Sequence, residues 1–293
     1  MADKDGAQAA PKNYYEDVPA AKHVFHVKGM DNLDWGMKDR LSRVFSPKTG
    51  RAVMLAFDHG YFMGSTTGLE RMDLVIPTLA PYIDVFMATR GAIRTCIPPT
   101  FNKGVALRGS AGSSILQDDV TNEIVAVDIE DAIRMNASCV AIQSFIGSPD
   151  ERQSIENVNQ TINAGNRYGI PTLGVVAVGK QMERTTRFFL LATRMLAEFG
   201  AQIIKTYYCE DFKKVVAACP VPIVIAGGKK LPEDEALTLA YSAICDGASG
   251  VDMGRNIFQA EDPVAMIQAV VKVVHEDYTD KKAYEFYLDT KKK

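Results

Sequence analysis

Lys205 is the residue whose position most strongly suggests chemistry. It stands in the apolar run 202–206, after a helical pattern at 188–199 that stops at Gly200. Because side chains alternate along a strand, Ile203 and Lys205 are expected on the same face. Burying an ammonium is costly, so such a lysine is either paired with a carboxylate or kept as an amine nucleophile for carbonyl carbons.

Glycine-containing ends of two neighbouring runs indicate an anion site. Gly227, Gly228 and Lys229 follow one apolar run, and Gly254 and Arg255 follow the next. Glycine allows backbone N–H groups to approach an anion closely. An arginine can add a bidentate, charge-assisted hydrogen bond. The combination favours a phosphate site over two plain turns.

Asp58 and His59 end the first apolar run of the chain. Asp58 could act as a general acid or base or hold Lys205 in place, and His59 could move a proton near neutral pH. Alternatively, Asp58 caps the following turn and His59 is a hydrogen-bonded core residue. With Lys205 and a phosphate site, they predict carbon–carbon bond chemistry through amine attack on the ketone of a phosphorylated substrate, without a metal.

Eight apolar runs alternate with helical patterns from residue 51 onward, and these runs are expected to be β-strands. They are 52–57, 84–88, 104–108, 139–144, 172–178, 202–206, 222–226 and 249–253. This alternation over about 250 residues predicts one (β/α)₈ TIM barrel of the α/β class, spanning 51–293. The alternative is an open doubly wound sheet, but the Gly-rich phosphate loop of that fold is missing after the first strand. In a barrel, function gathers at the C-terminal ends of the strands, where all the residues above are expected.

The helices are marked to different degrees. Apolar spacing predicts helices over 188–199 and 263–275. The run 148–151 (SPDE) predicts a capping box with its serine as the N-cap. Two successive prolines at 98–99 predict a loop, with little or no helix, in the crossover 89–103. A short helix is expected over 37–45.

Composition and the N-terminal region limit the classes of function. Residues 1–50 are expected to be an N-terminal extension, partly disordered and a candidate for oligomer contacts. The net charge of −3 gives no support for binding nucleic acid or a membrane surface, and no run approaches the roughly 20 apolar residues of a membrane span. Neither a signal peptide in 1–22 nor a metal-ligand cluster is visible. Five scattered cysteines suit free thiols in a reducing cytoplasm.

Four motifs resemble the archaeal-type class I aldolase family. They are MLAFDHGYF, IIKTYY, VPIVIAGGKK and GASGVDMGRNIFQ, at 54–62, 203–208, 221–230 and 247–259. The resemblance implies that Lys205 attacks the substrate and that Asp58 and His59 form the acid pair of the first strand. It also implies a phosphate site made of Gly227, Gly228, Gly254 and Arg255. Family members assemble as decamers, which makes a homodecamer the expected assembly.

The N-terminal segments 33–50 and 67–71 are more similar to the thiolase branch of that family. This branch acts on the phosphorylated form of the quorum signal autoinducer-2, a phosphorylated pentanedione. It uses coenzyme A as co-substrate and gives dihydroxyacetone phosphate and acetyl-CoA. No coenzyme A pocket is evident from the sequence, and the lysine could form an imine or carry the acetyl group. The alternatives are a Schiff-base aldolase on a sugar phosphate such as fructose 1,6-bisphosphate, and a non-catalytic phosphosugar-binding barrel.

Phe145 departs from the aldolase branch of the family. That branch reads Tyr-Pro-Gly-Ser after the fourth strand, and its tyrosine donates and accepts a proton. Here 145–148 reads FIGS. Phenylalanine has no proton to give, so the general acid/base of this protein is left open.

We predict that the protein cleaves fructose 1,6-bisphosphate poorly, by a factor of about 10² or more, the scale of a lost general acid/base. Phe145→Tyr is expected to restore part of that cleavage because it keeps the ring and adds only the hydroxyl. A coupled assay of triose phosphate release measures both proteins. Efficient cleavage by the wild type would return the sugar-phosphate aldolase to first place.

Overall fold

Eight parallel strands close into a barrel in the computed structural model, which describes residues 13, 15–20, 25–178 and 183–291. The ten strands within the described ranges are β1 (Ala52–Ala56), β2 (Val85–Ala88), β3 (Gly104–Arg108), β4 (Ser110–Gly112), β5 (Glu123–Val125), β6 (Cys139–Ser144), β7 (Thr172–Val176), β8 (Ile203–Tyr207), β9 (Ile223–Ala226) and β10 (Gly250–Met253). Around the barrel their order is β1-β10-β9-β8-β7-β6-β3-β2, while β4 and β5 form a separate antiparallel pair. The predicted TIM barrel and its eight strands are confirmed.

Helices surround the barrel and follow most of its strands. They are α1 (Trp35–Ser42), α2 (Gly60–Met63), α3 (Met72–Leu79), α4 (Arg90–Cys96), α5 (Ile129–Arg134), α6 (Glu151–Tyr168), α7 (Thr186–Phe199), α8 (Phe212–Ala218), α9 (Glu233–Cys245), α10 (Arg255–Phe258), α11 (Pro263–Glu276) and α12 (Asp280–Lys291). The predicted helices α7 and α11 are confirmed, and Gly200 ends α7 in the left-handed region at φ +111°. No helix in the described part of the chain is both long and apolar enough to cross a membrane.

The crossover between β2 and β3 contains a helix, so the prediction of little or no helix there is wrong. Helix α4 begins after Thr89, whose side chain accepts a hydrogen bond from the backbone N–H of Ala92. The two prolines come after Cys96, where the helix has already ended, and the second of them opens a 3₁₀ turn. The N-cap threonine correctly indicated a helix here, because the prolines affect only the chain after that helix.

The predicted capping box at the start of α6 is also wrong in its details. The helix begins at Glu151 with Asp150 as its N-cap residue, and the Ser148 hydroxyl has no hydrogen-bond partner. The Glu151 carboxylate instead accepts a hydrogen bond of 2.5 Å from the backbone N–H of Gly147. Only one half of a capping box is therefore present. Glu151 accepts a backbone hydrogen bond from the preceding turn, but no serine hydroxyl accepts one from the helix.

Alternation along the strands separates an interior core from a core between barrel and helices. Ile203 of β8 packs inside the barrel with Met54, whereas the next residue, Ile204, packs in the outer core. The described part of the N-terminal extension closes the interior core from one end, with Met37 of α1 and Phe45 buried against it. Most of residues 1–22 of that extension lie outside the described residues, so its partial disorder stays a prediction.

Gly104 at the start of β3 allows the extension to pack closely. A Cβ at this position would stand 2.3 Å from the carbonyl oxygen of Arg43, which is backbone and cannot rotate away. We predict that Gly104→Ala lowers the free energy of unfolding by about 1–3 kcal/mol through overpacking. Thermal unfolding measures the effect.

Gly91→Ala is the matched control, because a Cβ at Gly91 in α4 meets no atom within 4 Å. Alanine favours a helix over glycine by up to about 1 kcal/mol, so this variant should be as stable as the wild type or more so. Equal stability of Gly104→Ala and the wild type would contradict the close packing of the extension on the barrel.

Candidate active site

A cavity of about 170 Å³ opens at the C-terminal ends of the barrel strands. It brings together seven of the eight site residues that the sequence predicted: Lys205, Asp58, His59, Gly227, Gly228, Gly254 and Arg255. The eighth, Lys229, is exposed and does not line the cavity. The barrel therefore places a buried lysine and the glycines of two loops around one space.

Lys205 is paired with a carboxylate that the sequence analysis did not single out. Its Nζ lies 2.8 Å from Oδ2 of Asp252, a side chain with no solvent exposure on β10. Nζ also lies 3.1 Å from the sulfur of Met87, which accepts its hydrogen bond. Neither oxygen of Asp252 receives a hydrogen bond of regular geometry, so the contact with Lys205 is an ion pair with poorly aligned hydrogens.

Burial governs the protonation of Asp252. Desolvation raises the pKa of its carboxyl, the Lys205 ammonium opposes this rise, and the nearby charge of Asp58 adds to it. A carboxylate whose pKa is raised accepts a proton more readily. The pair can therefore pass a proton from ammonium to carboxylate and leave a neutral amine facing the cavity. The paired and the nucleophilic interpretations of Lys205 are compatible in this arrangement.

Asp58 pairs with Arg108 and not with Lys205, the partner considered for it from the sequence. Its Oδ2 accepts a hydrogen bond of 3.1 Å from Nη1 of Arg108, which is buried at the end of β3. The other end of that guanidinium contacts the buried carboxylate of Glu123 at 2.8 Å and 3.0 Å. One cation thus holds two acids, and the carboxylate that holds Lys205 is Asp252 instead of Asp58.

His59 lies at the rim of the same cavity. Its Nε2 is 2.8 Å from the hydroxyl of Thr66, and its ring stacks on Phe258 at 5.7 Å. Burial lowers the pKa of the imidazole; Asp58 opposes this, while the charges of Arg255 and Lys205 lower the pKa further. Burial thus favours the neutral ring, in which one nitrogen donates a hydrogen bond and the other accepts one.

The two glycine loops are fixed to each other by Asn256. Its buried side-chain amide donates to the carbonyl of Gly227 at 2.8 Å and accepts from the backbone N–H of Leu231 at 2.8 Å. Gly228 has φ +70°, which favours glycine, and a Cβ at Gly254 would stand 2.2 Å from the carbonyl oxygen of Ala56. A side chain at either position would strain the backbone or collide with it, so both glycines are needed for the conformation of these loops.

Two guanidinium groups stand beside these loops. Arg255 makes no side-chain hydrogen bond or ion pair to any residue in the described ranges, so its charge is available to an anion. Arg184 stacks on the ring of Tyr207 at 3.8 Å, and its Nη1 is 3.8 Å from the position that a Cβ of Gly228 would occupy. Arg184 was not among the residues predicted from the sequence, because it belongs to none of the four motifs.

Asp252 and Arg108 could have been found from strand alternation. Asp252 is the charged residue within the apolar run of β10, on the face opposite Val251 and Met253. Arg108 ends the run of β3, at the same end of the barrel as the other site residues. Among the described residues no group of three or more His, Cys, Asp or Glu side chains could hold a metal ion.

Comparison with known proteins identifies the family. Residues 52–260 match the model of the DeoC/LacD family aldolase. The chain therefore belongs to the DeoC/LacD aldolase family and is an enzyme.

Within this family, the chain is highly similar in sequence to enzymes named as thiolases. The chain is 56% identical over 292 residues to the 3-hydroxy-5-phosphonooxypentane-2,4-dione thiolase of Salmonella typhimurium, covering 99% of this chain and 100% of that protein. A relative with the same enzyme name from Photorhabdus laumondii has the same identity and coverage. The barrel also matches an archaeal fructose 1,6-bisphosphate aldolase with a TM-score of 0.73 at 24% identity, over 82% of this chain and 99% of that one. That likeness confirms the fold.

We predict that Asp252→Asn lowers kcat by about 10²–10⁴, the range of a lost general acid or base, because the amide cannot take the lysine proton. The KM for a phosphorylated substrate should change much less, since Asn256 and the glycine loops are untouched. Steady-state kinetics and the pH profile of kcat measure the effect. One of the two ionisations of the coupled pair is removed, so the profile should change shape.

Asp84→Asn is the matched control. Asp84 precedes β2 at the opposite end of the barrel, where it contacts His275 at 2.9 Å and the backbone N–H of Val53 at 2.7 Å. This variant removes a paired carboxylate of the same kind away from the cavity, and its kcat should match that of the wild type. Equal losses in the two variants would assign Asp252 a structural role only.

Proposed function

We propose that this enzyme cleaves 3-hydroxy-5-phosphonooxypentane-2,4-dione, the phosphorylated form of autoinducer-2, with coenzyme A. The products are dihydroxyacetone phosphate and acetyl-CoA. The observation that carries the proposal is the single cavity that joins Lys205 to Gly227, Gly228, Gly254 and Arg255. The thiolase name of relatives at 56% identity supports the choice of substrate.

The substrate has its phosphate on C5, ketones at C4 and C2, and a hydroxyl on C3. With the phosphate at the glycine loops, C4 is the carbonyl nearest to the anion and the one that Lys205 attacks. The amine forms a bond to C4, the carbonyl electron pair moves to oxygen, and that oxygen takes up protons and leaves as water. The product of this step is a protonated imine on Lys205.

Cleavage of the C2–C3 bond uses the imine as an electron sink. The thiolate of coenzyme A bonds to C2, and the electron pair of that carbonyl moves to its oxygen. When the carbonyl reforms, the C2–C3 bond breaks and its electron pair flows through C3 and C4 to the imine nitrogen. Acetyl-CoA leaves, C3 takes up a proton, and hydrolysis releases dihydroxyacetone phosphate from Lys205.

Asp252 is the group best placed to move the protons at the lysine. Its carboxylate lies 2.8 Å from Nζ, so it can take the ammonium proton before attack and return a proton to the departing C4 oxygen. Its raised pKa suits both roles. This assignment fills the position left open by Phe145, and His59 at the rim would serve as a neutral hydrogen-bond partner of the substrate.

Three further parts of the proposal rest on the family resemblance. Coenzyme A acts as a co-substrate that is not tightly bound, the enzyme works in the cytoplasm, and the chain assembles as a homodecamer. Size measurement in solution tests the last of these. The N-terminal extension, residues 1–50, is the candidate for contacts between subunits.

A second candidate function is a Schiff-base aldolase acting on a sugar phosphate. The same lysine and phosphate loops would suit it, and solved aldolases share the barrel. Phe145 lines a cavity beside Lys205, where the aldolase branch would have its tyrosine, and it has no hydroxyl. The thiolase mechanism needs no tyrosine at this position, because attack of the thiolate on C2 starts the bond cleavage without removing a proton from a substrate hydroxyl.

We predict that the wild type forms acetyl-CoA from the phosphorylated pentanedione only when coenzyme A is present. Lys205→Ala should abolish this activity because the nucleophile is gone. Lys205→Arg is the matched variant: it keeps a cation beside Asp252 but presents no nucleophilic amine, and it should be equally inactive. Chromatographic detection of acetyl-CoA and dihydroxyacetone phosphate measures the products.

Two results would contradict the proposal. Wild-type enzyme that releases no acetyl-CoA but cleaves fructose 1,6-bisphosphate would favour the aldolase. A Lys205→Ala rate within about tenfold of the wild type would mean that only about 1.4 kcal/mol of the barrier is lost, which is too little for a covalent role.

A further inference from the structure

Lys205 borders a second cavity in addition to the one that holds the phosphate loops. This second cavity has a volume of about 230 Å³. It shares Lys205, Gln143 and Tyr207 with the first cavity. None of the four phosphate-site residues, Gly227, Gly228, Gly254 and Arg255, lines it. The lysine amine therefore stands between a cavity with an anion site and one without.

Among the described residues, those that line the second cavity and not the first are apolar. They are Val120, Phe145, Val176, Ala177 and Val178. Gln143, shared by both cavities, makes no side-chain hydrogen bond to another residue of the described ranges, so its amide is available to a ligand. A cavity with apolar walls and one available amide suits a narrow, uncharged ligand group that contains an amide of its own.

The position of the substrate carbons determines which group must enter there. With the phosphate at the glycine loops and C4 on Lys205, carbon C2 lies two carbons further from the phosphate. The substrate chain therefore extends from β8 away from β9 and β10, toward β6 and β7, whose residues Gln143, Val175 and Val176 line the second cavity. The group that attacks C2 must reach it from that side.

We infer that the second cavity binds the thiol end of coenzyme A, the uncharged mercaptoethylamine and adjoining amide of its pantetheine arm. This inference rests on the proposed thiolase function. The thiol gives its proton to solvent, the sulfur bonds to C2, and the electron pair of the C2 carbonyl moves to its oxygen. That pair returns when the C2–C3 bond breaks as described above. Apolar walls exclude water, whose attack at the same carbon would release acetate in place of the thioester.

The binding of the thiol arm would explain why position 145 is a phenylalanine. A tyrosine hydroxyl at its position would need a hydrogen-bond partner or remain unsatisfied among valines, at a cost in affinity for an uncharged arm. The ring is buried with 3% exposure and lines the second cavity but not the first. The replacement that removes an aldolase proton donor thus also makes the thiol cavity apolar.

Filling this cavity is the test. Ala177, 9% exposed, lines the second cavity alone, and Ala177→Leu projects three more carbons into it. Because the larger side chain occupies space that the thiol end of coenzyme A needs, the KM for coenzyme A should rise about tenfold or more, which corresponds to about 1.4 kcal/mol or more. The KM for the phosphorylated pentanedione, and labelling of the enzyme by dihydroxyacetone phosphate and borohydride, should stay at wild-type levels.

Two variants serve as controls. Ala92→Leu makes the same change in α4 at 8% exposure, lines neither cavity, and should alter neither KM. Arg255→Ala should show the converse, a raised KM for the phosphorylated substrate and an unchanged KM for coenzyme A, because its contact is to the phosphate.

An unchanged KM for coenzyme A in an Ala177→Leu enzyme that still labels normally would overturn the inference. If that variant does not label, Val178→Leu, at a half-exposed position of the same cavity, takes its place under the same criteria. A wild type that forms no acetyl-CoA would overturn the proposed function, and the thiol site with it. A wild type that forms acetyl-CoA beside an unaffected variant would overturn the thiol site alone.

Discussion

The ion pair between Lys205 and Asp252 is the interaction on which the rest of the site depends. Each charge alone would lose several kcal/mol of hydration inside the barrel, and a partner at 2.8 Å offsets much of that cost. The two residues lie on β8 and β10, which are separated by β9 in the sheet. The pair therefore depends on β9 lying between the two strands in the correct register. A lysine held in this way is desolvated, fixed in direction, and next to a group that can take its proton.

Phosphate binding and the chemistry at the substrate carbonyl depend on different groups in the barrel. The glycine loops, fixed by Asn256, surround the proposed phosphate position, and Arg255 makes no side-chain hydrogen bond or ion pair with the described residues. A separate buried cation, Arg108, holds Asp58 and Glu123, so these acids do not compete for Lys205. Binding can thus rest on backbone and arginine contacts made equally in ground and transition states, while the lysine–carboxylate pair supplies the difference that accelerates the chemistry.

Sequence patterns predicted the part of this structure that follows from periodicity. The eight strands, the barrel and the lysine on the inner face of β8 all follow from alternation, and seven of the eight predicted site residues line one cavity. Alternation marks Asp252 as an inward-facing charge, but its pairing with Lys205 was missed because that depends on how β8, β9 and β10 align, which the pattern within one strand does not show. Arg184 was missed because its side chain reaches Tyr207 from a loop without a motif. The crossover helix α4 was missed because two prolines were given more weight than an N-cap threonine.

The most direct test of the account is to identify what becomes attached to Lys205. The enzyme is incubated with the phosphorylated pentanedione, without and with coenzyme A, reduced with borohydride, digested, and analysed by mass spectrometry. The account predicts a reduced, phosphate-bearing adduct on the peptide that contains Lys205, absent from Lys205→Arg and lowered when coenzyme A allows turnover. An acetyl group on Lys205 without any reduced adduct would show that the lysine carries the acetyl group and would contradict the imine. Labelling at another residue would contradict the central role of Lys205 itself.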